Sequence, residues 1–357
     1  MLRVLGKTLL GLVVLVAFLV AAAFGYRAWR QHDGERQLAI TAPSGIDEAI
    51  FVPVRGAEHW ITIRGQDRSN PVLFVVHGGP GAPLSPLATS FLIYENDWTV
   101  VHWDQPGAGK TFARAGDAIP PSTTITDIAA DGIAVAELIA NQLRKKKVVL
   151  LGLSWGSVVG LEMARARPDI FTAYVGTGLF VHRDDGRAIA YERVLSLAHA
   201  ENNAEAIAAI EAIGPPPYER PADARAVNEW TAALAPGESS SAADRLGQLL
   251  FAPRESLADV QSYFRGYMAS DEQFDLGAMD LRTSGSNFAL PMVIIHGAED
   301  YDTPEELARV YFHSIAAPQK TFVTLEGAGH TALVDHADEF LAALNEHVLP
   351  LARAADE

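Results

Sequence analysis

The sequence contains no cysteine. This absence excludes disulfide bonds, a thiol nucleophile, thiolate-ligated metals and a lipid-modified N-terminal cysteine, although either redox compartment tolerates such a chain. Basic side chains are also scarce, with 28 Lys and Arg against 44 Asp and Glu, and the formal net charge is −16. Because so acidic a surface repels phosphate backbones, the sequence predicts no nucleic-acid partner.

Charged side chains are missing from one N-terminal stretch. Residues 8–24 read TLLGLVVLVAFLVAAAF, with basic residues on both sides. A stretch of about 17 apolar residues is near the lower limit for crossing a bilayer. The sequence therefore predicts that residues 1–30 are a membrane anchor and that the domain behind them is extracytoplasmic. The small residues Ala21 and Ala23 leave a cleaved signal peptide as the alternative, which would make the protein secreted or periplasmic.

Beyond this stretch the composition is globular, with 49% hydrophobic and 20% charged residues. Short apolar runs bounded by Gly or Pro alternate with helical patterns, which predicts a mostly parallel eight-stranded sheet flanked by helices. The first two runs are separated by Arg55-Gly56 and predict a hairpin. The eight runs are Ala49–Val54, Trp60–Ile63, Val72–Val76, Trp98–Trp103, Val148–Leu153, Tyr174–Val175, Met292–Ile295 and Thr321–Leu325.

One long segment, residues 182–285, interrupts this alternation. It is rich in Ala and Glu and contains three consecutive prolines. We therefore expect a helical insertion after the sixth strand. Around it, the sequence predicts a polar linker at residues 31–44 and a core built from residues 45–181 and 286–357.

The sharpest motif, Gly152–Ser157 (GLSWGS), directly follows one apolar run. Glycines two residues before and after a serine allow a tight strand-to-helix turn that exposes the hydroxyl above the sheet edge. The positive end of the following helix then points at a developing oxyanion. This pattern predicts Ser154 as a nucleophile, and the alternative is a structural glycine turn.

A serine nucleophile needs a base and an orienting carboxylate, and with this turn they follow in the order Ser, acid, His. His330 follows the last apolar run, and Asp300 follows the run before it. Both positions lie where parallel strands end, at the edge where such sheets bind ligands. We expect Asp300 to be the acid and His330 the base, with Asp302 as the competing acid. His77 and His296 are expected to fix loops.

The segment His77–Gly81 (HGGPG) follows the third run. Because glycine has no side chain, a backbone N–H in this loop can approach a substrate oxygen closely. We expect the N–H groups of Gly79 and Trp155 to form an oxyanion hole; the alternative for the loop is a plain Gly/Pro turn. The sequence has neither an HExxH metal pair nor a spaced dinucleotide GxGxxG, so it predicts no metal and no cofactor.

Together these segments resemble the α/β-hydrolase superfamily and, within it, the proline iminopeptidase-like serine hydrolases. The resemblance implies an α/β-hydrolase fold with a helical cap after the sixth strand, and it implies the same roles for Ser154, Asp300, His330, Gly79 and Trp155. The matching segments are His77–Gly81, Trp103–Thr111 (WDQPGAGKT), Gly152–Ser157, Gly297–Pro304 and Gly327–His330.

Two departures from the family pattern concern the substrate. Pro106 stands where the family usually has Arg, and the insertion lacks the Trp-x-x-Trp-Glu stretch that carries the amine-binding Glu. The acidic residues of the insertion offer three other carboxylates for an α-ammonium group, Glu192, Glu229 and Glu272.

The sequence thus predicts an aminopeptidase that releases N-terminal residues from small peptides. A carboxylesterase or amidase acting on small or lipophilic acyl compounds is the alternative, and a non-catalytic binding protein is a third reading. The N-terminal segment predicts a membrane contact, and the sequence does not determine the oligomeric state.

Overall fold

An eight-stranded sheet forms the centre of the molecule. The computed structural model describes residues 2–235 and 242–356. The strands are β1 (Ile46–Val54), β2 (Ala57–Gly65), β3 (Val72–Val76), β4 (Thr99–Trp103), β5 (Val148–Leu153), β6 (Phe171–Thr177), β7 (Met292–Gly297) and β8 (Lys320–Leu325). Their order is β1-β2-β4-β3-β5-β6-β7-β8. The pairs β1/β2 and β2/β4 are antiparallel, and the other pairs are parallel. The predicted mostly parallel eight-stranded sheet is confirmed.

The first two strands form the predicted hairpin. Val54 pairs with Ala57, so Arg55 and Gly56 make a two-residue turn. Both turn residues have positive φ, at 46° and 92°. This is the backbone twist that matches a tight hairpin to its strands.

Helices cover both faces of the sheet because the central strands are apolar on both sides. In β3, Phe74 and Val76 join one buried cluster, whereas Leu73 and Val75 join the cluster on the opposite face. The helices are α1 (Leu2–Gln37), α2 (Gly109–Arg114), α3 (Ile125–Leu143), α4 (Trp155–Ala166), α5 (Arg183–Ala200), α6 (Ala204–Ile213), α7 (Pro221–Leu234), α8 (Ala242–Phe251), α9 (Leu257–Gln273), α10 (Glu305–Ser314), α11 (Ala332–Asp335), α12 (Ala337–His347) and α13 (Leu349–Asp356).

Helix α3 shows how local sequence sets these elements. It begins with a capping box, in which the Thr124 side chain accepts from the Asp127 N–H and the Asp127 carboxylate accepts from the Thr124 N–H. It ends at Arg144, which has the left-handed conformation. On its buried face, a Cβ atom at Gly132 would lie 2.8 Å from the Trp103 ring, so only glycine lets the helix pack this closely.

Helices α5–α9 lie between β6 and β7 and form the cap. The predicted helical insertion after the sixth strand is therefore confirmed. The cap has an apolar cluster of its own, which includes Tyr191, Val194 and Val227. Arg193 of α5 ties it to the core, because its guanidinium donates to the Asp300 carbonyl oxygen at 3.0 Å and pairs with Glu306 at 2.7 Å.

The N-terminal helix is longer than expected. A polar linker was expected from residue 31, but α1 continues to Gln37. The reason is that its polar end packs against the cap: Gln31 donates to the carbonyl oxygens of Ala252 and Glu255 at 2.8 Å, and Glu35 pairs with Arg254 at 3.0 Å. Tyr26 contacts Phe251 at the end of α8, edge to face at 5.5 Å.

The apolar part of α1 stands apart from this contact. The stretch Lys7–Gln37 contains a window apolar enough to cross a membrane, and none of that window is buried against the domain. Such a helix fits either a membrane anchor or a signal sequence.

Candidate active site

Ser154 lies on the tight turn between β5 and α4, in an unfavourable backbone conformation with φ 54° and ψ −124°. Such a conformation persists only where the surroundings enforce it. A Cβ atom at Gly152 would lie 2.5 Å from the Gly156 carbonyl oxygen, and one at Gly156 would lie 2.5 Å from the His77 carbonyl oxygen. The two glycines of the motif are therefore required by packing, as the sequence pattern predicts.

His330 and Asp300 meet at the same edge of the sheet. The His330 Nδ1 atom lies 3.0 Å from Oδ2 of Asp300, which is fully buried. Thr303 donates to the same carboxylate twice, through its N–H and its hydroxyl, each at 2.7 Å. Burial raises the pKa of the Asp300 carboxyl, but the His330 charge, acting together with the hydrogen bonds from His330 and Thr303, holds that pKa below its ordinary value. Asp300 is thus held ionised beside the imidazole.

Asp302, the competing acid, has a different place. It is exposed, and it lines the cavities beside Ser154. The structure therefore gives the imidazole contact to Asp300 and leaves Asp302 facing the space where a ligand would lie.

Two adjoining cavities open beside Ser154 and His330, which line both of them. The core-side cavity, of about 190 Å³, has apolar walls that include Leu84, Leu153 and Leu249 of α8. The cap cavity, of about 230 Å³, is bounded by side chains of α5, α7 and α9. The structure therefore brings the predicted nucleophile and base together under the cap.

The loop that carries Gly79 also borders Ser154. Gly79 has a φ of +116°, and a Cβ atom there would lie 2.6 Å from the Gly81 nitrogen. Trp155 is the first residue of α4, where a backbone N–H has no partner within the helix. Its buried indole donates to Gln105 at 3.1 Å, and the Gln105 amide donates to the His77 carbonyl oxygen at 2.8 Å. These bonds fix the two loops that carry the predicted oxyanion donors relative to each other.

His77 and His296 occupy equivalent places at the ends of β3 and β7. Each accepts a loop N–H at Nε2, from Gln105 at 3.2 Å and from Leu179 at 3.0 Å. Each Nδ1 atom faces the carbonyl oxygen of the next residue. Burial lowers both pKa values, that of His77 to about 4. Both rings are therefore neutral and fix loops, as expected.

Three residues at the site were missed by sequence reasoning. Thr303 binds the Asp300 carboxylate, and its signal is an Asp-x-x-Thr sequence before a helix. The Ser157 hydroxyl donates to the Ser154 carbonyl oxygen at 2.5 Å and accepts from the Phe180 N–H at 3.1 Å. Gly178 has a φ of +51°, and a Cβ atom there would lie 2.9 Å from Cε1 of His330. Its only signal is a glycine after a strand.

The three cap glutamates offered as amine ligands lie elsewhere. Glu192, Glu229 and Glu272 are exposed, and neither cavity beside Ser154 includes them in its lining. Glu192 is exposed because of helical geometry: the neighbouring Tyr191 and Val194 belong to the cap's apolar cluster, so Glu192 lies on the opposite face of α5. The carboxylates that do line the cap cavity are Asp271 and Asp302.

Among the described residues, no group of three or more His, Asp or Glu side chains is arranged to hold an ion.

Comparison with known proteins places the fold. The model of the alpha/beta hydrolase family matches residues 72–343, and the chain belongs to that family. The "Probable aminopeptidase YbaC" of Bacillus subtilis (strain 168) is 27% identical over 301 residues, covering 82% of this chain and 94% of that protein. A "Probable proline iminopeptidase" of Streptomyces coelicolor is 27% identical over 305 residues, covering 81% and 91%.

A solved structure agrees in fold. The proline iminopeptidase of Mycobacterium smegmatis superposes with a TM-score of 0.61 at 19% identity, covering 87% of this chain and all of that one. The chain is thus an α/β hydrolase similar to proline iminopeptidases.

The contact between Gly178 and His330 predicts a specific defect. In Gly178→Ala the new methyl group would displace the imidazole, and misplacement on this scale lowers rates about 10²-fold. The measurement is kcat/KM for para-nitrophenyl acetate, together with the melting temperature.

Gly285→Ala is the matched control, because Gly285 also has positive φ, at +86°, but a Cβ atom there has no neighbour within 4 Å. We expect Gly285→Ala to introduce similar backbone strain but to keep the wild-type kcat/KM. Equal rates in the two variants would contradict the proposed contact.

Proposed function

We propose that this protein is a serine hydrolase that acts through an acyl-enzyme. The observation that carries the proposal is the buried Asp300 carboxylate bonded to His330, with that imidazole and Ser154 lining the same two cavities. Ser154 attacks the substrate carbonyl carbon while His330 takes the hydroxyl proton, and Asp300 holds the imidazole in the required tautomer.

The oxyanion that forms on the substrate is stabilised by the backbone N–H groups of Gly79 and Trp155. His330 then gives its proton to the leaving group. In the second half of the cycle His330 activates a water molecule, which hydrolyses the acyl-enzyme and restores Ser154.

We further propose that the substrates are peptides with a free N-terminus. Similarity to the two aminopeptidase-like relatives supports this, and so do the carboxylates of Asp302 and Asp271 in the cap cavity. An α-ammonium group next to the scissile carbonyl would lie close to Asp302. Both carboxylates are exposed in the free protein. A bound peptide would displace water from the cavity, and the attraction between these carboxylates and the ammonium group would then strengthen because the effective dielectric constant falls.

An esterase is the second candidate. The apolar wall of the core-side cavity, formed by residues such as Leu87, Leu153 and Val334, would suit an acyl chain. A non-catalytic binding protein is the least favoured hypothesis, because it does not explain why a buried carboxylate is bonded to His330 beside Ser154.

We also propose that α1 remains attached as a membrane anchor with the domain on the extracytoplasmic side. The continuity of one helix from the apolar stretch to the cap contact supports this, because Arg27 donates to the carbonyl oxygens of Leu250 and Glu255 at 2.9 and 2.6 Å.

The proposed roles of Ser154, Asp300 and Asp302 predict how much activity each substitution removes. Ser154→Ala should lower hydrolysis of para-nitrophenyl acetate to background, and Asp300→Asn should lower kcat about 10⁴-fold because the imidazole loses its orienting partner. Asp302→Asn should leave ester hydrolysis nearly unchanged. The measurement is steady-state kinetics with circular dichroism to verify folding; a larger loss in Asp302→Asn than in Asp300→Asn would move the acid role to Asp302.

The amine proposal predicts a preference that can be measured directly. The kcat/KM for prolyl-naphthylamide should exceed that for its N-acetylated form by more than about 10², which corresponds to more than roughly 2.7 kcal/mol of transition-state stabilisation. Asp302→Asn should lower this ratio, whereas Glu192→Gln, on the exposed face of α5, should keep it. A ratio near one with ready ester turnover would identify an esterase instead.

The anchor proposal predicts where the chain is found and how long it is. When the full chain is expressed in bacteria, it should stay in the membrane pellet after alkaline carbonate extraction, with an intact mass, and protease added to spheroplasts should digest the domain. A chain released into the soluble fraction and truncated after Ala23 would show that the segment is a signal peptide.

A further inference from the structure

The cap cavity has a basic wall that has no role in the proposed catalysis by Ser154, Asp300 and His330 or in the proposed binding of an amine. Arg183 and Arg187 lie four residues apart on α5 and both line this cavity. Residues at this spacing lie side by side on one face of a helix. The two guanidinium groups are therefore neighbours, and both border the space next to Ser154.

These two arginines differ from most others of the cap. Within residues 2–235 and 242–356, neither forms a salt bridge with a carboxylate. By contrast, five cap and cap-flanking arginines each pair with an acidic side chain, namely Arg193, Arg220, Arg254, Arg265 and Arg282. The protein has an excess of acidic residues, yet these two cations have no salt-bridge partner in the described part of the chain.

Their placement is unfavourable for folding. Like charges at this spacing repel each other, and Arg183 stands in the first turn of α5, where the helix dipole disfavours a cation. Arg187 is partly buried, and this burial together with the Arg183 charge lowers its pKa. An anion bound between the two guanidinium groups would offset all three penalties.

A polar group without a partner lies on the same wall. The Tyr218 hydroxyl is buried and has no hydrogen-bond partner among the described residues, and Tyr218 lines the cap cavity with the two arginines. A buried hydroxyl without a partner is costly, and a ligand oxygen would satisfy it. The wall thus offers two guanidinium groups and one hydroxyl donor.

We propose that Arg183, Arg187 and the Tyr218 hydroxyl bind the free α-carboxylate of a short peptide substrate. This inference rests on the proposed peptidase function and names its substrate class. The arginines supply planar pairs of donors that match a carboxylate, and Tyr218 supplies a third hydrogen bond.

The size and charge of the cavity agree with such a substrate. At about 230 Å³ it is smaller than the roughly 300–1,000 Å³ of pockets for drug-sized ligands. Adjacent α-carbons of a peptide are about 3.8 Å apart, so the carboxylate of a dipeptide stays close to the scissile carbonyl. Asp271 and Asp302 also line the cavity. It therefore carries charge of both signs, with carboxylates for the ammonium group of a zwitterionic dipeptide and guanidinium groups for its carboxylate.

The test compares prolyl-alanine with prolyl-alanine amide, which differ only in the carboxylate. For the full-length enzyme, kcat/KM for the free acid should exceed that for the amide by about tenfold or more. Arg187→Gln and Arg183→Gln should each bring this ratio close to one, mainly through the free acid. Both variants should melt at or above the wild-type temperature, because each removes a repulsive charge.

Arg225→Gln is the matched control, because Arg225 is exposed on α7 and lies outside both cavities. It should keep the wild-type ratio. Turnover of both dipeptides with a ratio near one in the wild type would overturn the carboxylate site and leave the peptidase proposal standing. A wild-type preference that survives both arginine substitutions would also overturn it.

Failure to cleave either dipeptide would count against the peptidase proposal and calls for a second pair of substrates. These are the para-nitrophenyl esters of succinate, one with a free carboxylate and one with that carboxylate methylated. A preference for the free acid that Arg187→Gln abolishes would retain the anion site in an esterase. Equal turnover of the two esters would overturn the site.

Discussion

The sheet edge that carries the candidate active site depends on one strained backbone position. Ser154 holds a conformation whose cost is about 1–3 kcal/mol, and hydrogen bonds on both sides offset it. Its N–H donates to the Thr177 carbonyl oxygen at 3.0 Å, and its own carbonyl oxygen accepts from the Ser157 N–H at 2.8 Å and from the Ser157 hydroxyl. These bonds join β5, α4 and the end of β6, so the backbone that carries the Ser154 hydroxyl is held from three elements.

The same structural solution is used twice to fix the flanking loops. His77 and His296 are buried at the ends of β3 and β7, and each imidazole bridges backbone atoms of two loops. A neutral imidazole suits this task because it has one donor and one acceptor on opposite sides of a flat ring. The loop that carries Gly79 and the loop that carries Asp300 are thereby each held by an uncharged imidazole.

The sheet, the cap position and the Ser154 turn could be predicted because each depends on short-range patterns. Buried parallel strands leave apolar runs, and the turn leaves glycines at fixed spacing. The cap carboxylates could not be predicted in the same way, because which face of a helix borders a cavity depends on how the helices pack. Glu192 is exposed for this reason, whereas Asp302, which was expected only as a competing acid, lines both cavities beside Ser154. The helical residues 31–37 were missed because their helix is stabilised by the cap, far away in sequence.

The path from α1 to the cavity through α8 has a mechanical consequence. Phe251 at one end of α8 contacts Tyr26 of α1, while Leu249 and Gln248 of the same helix line the core-side cavity. One short helix therefore contacts the polar end of α1 and also forms part of the cavity wall. The contact that holds the polar end of α1 and the wall that faces a substrate are therefore parts of the same ten-residue helix, so a substitution that repositions α8 alters both.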